Sequence, residues 1–219
     1  MPKIKVSDVS LSYEEMGEGP PVVLVTGIGA DSLAWAMNAP VLMGNHRVIT
    51  VDNRDVGLSD RASGPYTMAE MGDDVIGFLK ELNPGPVHLV GQSMGGMICQ
   101  HVALKAPELL RSLTLVTSIA RVPPASKLLL DLWTNIIEKL GMEGFADFVM
   151  IMTISSEYIE NNLEGLQAFK DMMLMHLAQN PVEADAFRRQ GEAVLGHDVL
   201  DRLGEISTPT LVMAGGEDI

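Results

Sequence analysis

The chain has 219 residues, 47% hydrophobic and 20% charged, with 21 Gly, 12 Pro and one cysteine, Cys99. This composition excludes a disordered chain, a collagen-like repeat and a disulfide scaffold, and a core of this size needs no metal or disulfide staple. Lys and Arg total 15 against 29 Asp and Glu, and the formal charge of −14 repels a phosphate backbone, so nucleic acid is not expected as a partner. The opening MPKIKVSDVS has no apolar signal-peptide core, and no window reaches the ~18 apolar residues of a membrane span. The expectation is a soluble, cytoplasmic protein with no membrane partner, and the lone Cys99 agrees with a reducing compartment.

In chain order, Ile4 to Val6 and Leu11 to Glu15 alternate apolar and polar residues, as an opening antiparallel hairpin does. Short apolar runs follow at Val22 to Thr26, Arg47 to Asp52, Val87 to Gln92, Ser112 to Thr117 and Thr210 to Ala214, and these are the predicted core strands. Thr67 to Leu82 carries Met68, Met71, Val75, Leu79 and Leu82 at helical spacing, and Met94 to Lys105 is a helix rich in small residues. This alternation predicts an α/β fold, a mostly parallel sheet with helices on both faces. From Val122 to Glu205 strand patterns cease. Helical patterns run through Leu128 to Leu140, Gly144 to Met152, Glu164 to Ala178 and Pro181 to Leu195. The chain therefore divides into a first core part (1–121), a helical insertion (122–205) and a last strand with its following loop (206–219).

The strongest chemical signal is Gly91-Gln92-Ser93-Met94-Gly95, a G-x-S-x-G that ends a strand and opens a helix. A serine on so tight a turn has an unfavourable backbone conformation, and the neighbouring chain passes so close that only Gly91 and Gly95 leave room. The helix beginning at Met94 aims free N–H groups at the place where negative charge would develop. A second signal, Thr26-Gly27-Ile28-Gly29, ends the first long strand and can present the Ile28 amide beside that of Met94, forming an oxyanion hole. A third cluster, Asp52 to Asp60, reads as a hydrogen-bonded loop scaffold in which Arg54 bridges carboxylates.

Together, TGIGADSLAW, VDNRDVGLSD, LVGQSMGGMICQ, LTLVTS and PTLVMAGGED resemble the α/β-hydrolase fold, most closely the enol-lactonase and aclacinomycin-methylesterase-like branch. The resemblance implies a Ser-acid-His triad with Ser93 as nucleophile, Asp218 as acid, Ile28 and Met94 as oxyanion donors, and a helical lid at 122–205. Relatives often carry His where Thr26 stands, a departure that a backbone donor tolerates. In the family the catalytic histidine follows the acid on a later loop, and this sequence stops at Ile219. Of the five histidines, His46, His88, His101 and His176 are expected away from the mouth of Ser93. His197 is the remaining candidate, although Gly196-His197-Asp198 also reads as a helix break with Asp198 as N-cap.

Without the base, an oxyanion hole and binding alone leave only ~10³ to 10⁴-fold catalysis over water. The family's last strand and helix are likewise absent, which leaves Thr210 to Ala214 as an apolar edge expected to pair with a second copy in a homodimer. The expected reaction is cleavage of a small neutral ester or lactone by a serine esterase or lactonase. The alternative is a weakly active relative that binds ligand or assembles, and C–C hydrolysis or acyl transfer on the same residues is a third reading. Methionines 142, 150, 152, 172, 173 and 175, with Trp35 and Trp133, read mainly as packing residues. Arg188-Arg189 reads as solvated surface. No zinc-ligand spacing and no dinucleotide fingerprint occurs, so no metal or cofactor is expected.

Overall fold

The computed structural model describes residues 1–218. The expected hairpin is β1 (Lys3–Val6) and β2 (Val9–Met16), followed by β3 (Pro21–Val25), a short α1 (Ala39–Leu42) and β4 (Arg47–Val51). Next come α2 (Met68–Leu82), β5 (Val87–Gln92), α3 (Met94–Lys105) and β6 (Leu110–Val116). Four helices, α4 (Ser126–Thr153), α5 (Ser156–Asn161), α6 (Leu163–Leu177) and α7 (Ala184–Leu195), precede the last described strand, β7 (Thr210–Met213). The strands form one sheet in the order β1-β2-β4-β3-β5-β6-β7, antiparallel as far as β4 and parallel from there on.

Side-chain alternation explains why β3 is an unbroken apolar run. Val23 and Val25 face a large core shared with α2 and α3, whereas Val22 and Leu24 face a smaller one with Trp35 and Ala39. All four are at most 5% exposed, and each such burial contributes roughly 1.5–3 kcal/mol. In α2 the spaced Met68, Met71, Val75 and Leu79 are all buried, as their period requires. Thr67 and Glu70 close a reciprocal capping box at its start, and Asn83 ends it in the left-handed region at φ 47°.

The order of the strands places the site. The chain leaves β3 toward β4 on one side and leaves β5 toward β6 on the other, so the carboxyl ends of β3 and β5 diverge at a topological switch point, where open α/β sheets bind their ligands. The helical segment departs and returns through a narrow neck. There the Val122 N–H donates to the His197 carbonyl, the Val199 N–H donates to the Ala120 carbonyl, and Arg121 pairs with Asp198 at 2.7 Å. Two of its expected helices are one element broken at Gly141, whose φ of 66° interrupts the helix; α5 is an addition, with Ser155 accepting the Tyr158 N–H. On β7, Leu211, Val212 and Met213 are 55%, 67% and 49% exposed. No described helix is long and apolar enough to cross a membrane.

Candidate active site

Ser93 stands between β5 and α3 with φ 52° and ψ −119°, a conformation that a non-glycine residue keeps only where its surroundings impose it. Its N–H donates to the Val116 carbonyl at 2.9 Å, while its own carbonyl accepts from the Gly96 N–H at 2.9 Å and the Ser118 hydroxyl at 2.8 Å. The crowding is severe, as the sequence implied. A Cβ on Gly95 would lie 2.2 Å from the Val25 carbonyl oxygen, and one on Gly91 would lie 2.4 Å from that of Gly95.

The chain after β3 passes directly beside this turn, since a Cβ on Gly27 would lie 3.8 Å from Ser93 Oγ. Two side-chain bonds fix its path: the Thr26 hydroxyl donates to the Ala30 carbonyl at 2.7 Å, and Asn53 Nδ2 donates to the Thr26 carbonyl at 3.1 Å. At Gly29, where φ is 64°, the N–H donates to Gln190 Oε1 at 2.8 Å. The Ile28 and Met94 amides make no hydrogen bond among the described residues. Two free amides beside a serine hydroxyl are the raw material of an oxyanion hole.

The Asp52 to Asp60 loop is the expected scaffold. Asp52 accepts the Ser32 and Leu58 N–H groups at 2.8 and 3.0 Å, and burial raises its carboxyl above the usual range against the pull of those bonds. Arg54 makes a bidentate pair with Asp74 at 2.6 and 2.8 Å and reaches Asp8 at 3.1 Å. Burial opposes its charge, but these carboxylates outweigh burial and hold its pKa above the ordinary value.

Arg188 and Arg189 do diverge, yet only Arg188 meets the surface expectation, pairing with Glu138 and Asp185. Arg189 turns inward and binds Asp55 at 2.6 and 2.9 Å, correcting the reading of a solvated pair. Asp55 is fully buried, has φ 72°, and also accepts the Tyr66 hydroxyl at 2.8 Å and the Ala62 N–H at 2.9 Å. Beside it, Gln190 joins the Gly29 amide to the Arg54 carbonyl, so α7 clamps both loops that flank Ser93. Residue spacing gave no sign of this clamp.

A cavity of about 290 Å³ opens over the switch point and is bordered by Ile28 and Ser93 on the sheet side. Across it lie Phe169, Met172, Met173 and Trp133 from the helical segment. Trp133 also packs on Phe145, Phe148 and Phe187, whereas Trp35 is packing alone, buried in the smaller core. Contrary to expectation, His176 lines this cavity, with Nε2 2.5 Å from Asp31 Oδ2.

His197 does not line the cavity. It is 2% exposed, packs edge-on against His101 at 5.3 Å, and neither ring nitrogen has a partner among the described residues. Burial lowers its pKa, and burial together with His197 brings that of His101 down to about 4. Asp218 borders a neighbouring cavity of about 350 Å³, and its carboxylate accepts the Gly215 N–H at 2.7 Å; Thr153 borders both cavities. The structure thus brings Ser93 and Ile28 into one cavity and leaves Asp218 in the next.

The sheet order, the strained serine turn and the flanking glycine loop together define an α/β-hydrolase fold. The alpha/beta hydrolase fold family matches residues 20–219, and the chain belongs to it. A protein of Azorhizobium caulinodans named "Putative carbamate hydrolase RutD" is 29% identical over 218 residues, spanning 100% of this chain and 81% of the relative. The enol-lactonase from Burkholderia xenovorans LB400 superposes with a TM-score of 0.84 at 25% identity, covering 98% of this chain and 81% of its own. A thermophilic esterase from Thermogutta terrifontis, with malate bound, gives a TM-score of 0.82 at 26% identity, covering 98% and 80%.

Proposed function

We propose that this chain is a serine hydrolase that cleaves a small neutral carboxylic ester or lactone through an acyl-enzyme on Ser93. The observation that carries the reading is Ser93 held at φ 52° on the strand-to-helix turn, in one cavity with Ile28. In the proposed reaction Ser93 Oγ bonds to the substrate carbonyl carbon as its proton passes to a base, which the family order Ser-acid-His sets after the acid, Asp218. The Ile28 and Met94 amides hold the oxyanion, each such donor being worth roughly 10² to 10³ in rate. Collapse of the intermediate breaks the bond to the leaving oxygen, which takes up a proton, and water then releases the acid and regenerates the hydroxyl. No step calls on a cofactor.

Residues 122–205 act as the lid, and their aromatic and thioether side chains favour an apolar acyl or alkyl group. The relatives named as an enol-lactonase and an esterase support the ester class. The RutD name favours a carbamate as a second substrate class, since its carbonyl is open to the same attack. Trapping tests the reading: after a quenched reaction with p-nitrophenyl butyrate, the butyryl group is expected on the peptide containing Ser93. Butyryl on another residue would overturn it.

A further inference from the structure

We infer that His176 is a specificity-determining residue of the cavity and that the substrate carries a hydroxyl group remote from the bond being cleaved. The inference rests on the proposed function only in taking the Ser93 cavity as the substrate site. His176 ends α6 and lines the cavity with its side chain 28% exposed, and Asp31, 13% exposed, fixes the ring through the 2.5 Å contact to Nε2. Asp31 is itself held, since its other oxygen accepts the Leu33 N–H at 3.1 Å. Nδ1 is thereby left without a partner among the described residues and is not buried.

Asp55 and Thr153, which also border the cavity, are already engaged, by Arg189 and Tyr66 and by the Val149 carbonyl respectively. Gln92 and Asn180 also border it, but no hydrogen bond among the described residues fixes their side chains; His176, which lines the cavity with Leu33, Met172, Met173 and Leu177, is the one of the three whose ring a bonded partner orients, and a few oriented polar groups are how a mostly apolar pocket selects a substrate. The chemistry of the position narrows its occupant. A carboxylate, which only accepts, finds a donor at Nδ1 in the imidazolium alone. A carbonyl can accept only from the imidazolium. A hydroxyl meets both ring states, donating to Nδ1 of the neutral imidazole and accepting from Nδ1–H of the cation.

Binding of hexanamide and its 3-, 4- and 5-hydroxy derivatives, followed by the fluorescence of the cavity residue Trp133, tests this without turnover. At least one hydroxy amide is expected to bind wild type about tenfold more tightly than hexanamide, the size of one neutral hydrogen bond. His176→Phe, which keeps a ring of similar shape, should bring that ratio to about one with hexanamide binding within about twofold of wild type; His176→Gln should restore part of it. A ratio equal in wild type and His176→Phe, or a wild-type ratio of one throughout, would overturn the inference. The trapping experiment separates the two readings: a hydroxy-amide preference found in wild type and lost in His176→Phe, in a wild-type protein whose Ser93 fails to trap butyryl, leaves this inference standing and removes the proposed chemistry.

Discussion

Ser93 and Ile28 are held by backbone and buried charge, whereas Met172, Met173 and His176 across the cavity hang from helices with apolar, exposed outer faces. On the sheet side, carbonyl oxygens lie within 2.4 Å of where a Cβ on Gly91 or Gly95 would fall, and Asp55 is enclosed by Arg189, Tyr66 and the Ala62 amide. On the helical side Leu128, Ile151 and Met175 are 76%, 71% and 71% exposed, and His176 reaches the first side through Asp31. Rigid donors suit the chemistry of an acyl intermediate, which needs fixed geometry. Soft thioether and aromatic walls suit choice among substrates. α7 belongs to both sides, because Arg189 and Gln190 tie it to the loops beside Ser93.

The largest expected effect is at Gly95. An added methyl meets two backbone carbonyls, so Gly95→Ala should cost about 3 kcal/mol or more and lower the melting temperature by roughly 6–12 °C. Met172→Ala, across the cavity, should stay within about 3 °C of wild type because that side chain is 38% exposed. Comparable losses in the two variants would erase the distinction between the sides.

Arg189→Met comes next. It leaves the Asp55 carboxylate buried without its cation, and because Arg189 is itself 24% exposed the cost should be about 2–3 kcal/mol in urea unfolding. The double variant with Asp55→Asn should recover part of that loss; strict additivity of the two substitutions would argue against a coupled clamp.

The smallest effect concerns acid. His101 titrates near 4 in the fold against about 6.5 when unfolded, so the unfolded chain binds more protons and stability falls as pH drops from about 6.5 toward 4. Below about 4 this contribution levels off. His101→Leu should shrink the acid-induced fall in melting temperature, and an unchanged pH profile would show that the burial of His101 against His197 carries no such linkage.

Much of the scaffold was legible because it rests on short-range periodicity. Period-2 alternation marked β1 and β2, apolar runs marked the parallel strands, and the spacing of Met68 through Leu82 marked α2. The Ser93 turn was legible for a steric reason, since Gly91 and Gly95 have no alternative residue there. What escaped lies in long-range pairs: Arg189 meets Asp55 across 134 residues, and His176 meets Asp31 across 145. No local pattern encodes such contacts; they exist once α6 and α7 have packed over the switch point. His197 illustrates the converse. It was the one histidine left as a candidate for Ser93, but the chain buries it against His101 of α3, outside the cavity.

The most direct test of the central claim is the first turnover of p-nitrophenyl butyrate at high protein concentration, followed from the first seconds in wild type and Ser93→Ala. The account expects nitrophenol release stoichiometric with protein in wild type and none above background in the variant. Equal release from both proteins would contradict it and remove Ser93 from the chemistry.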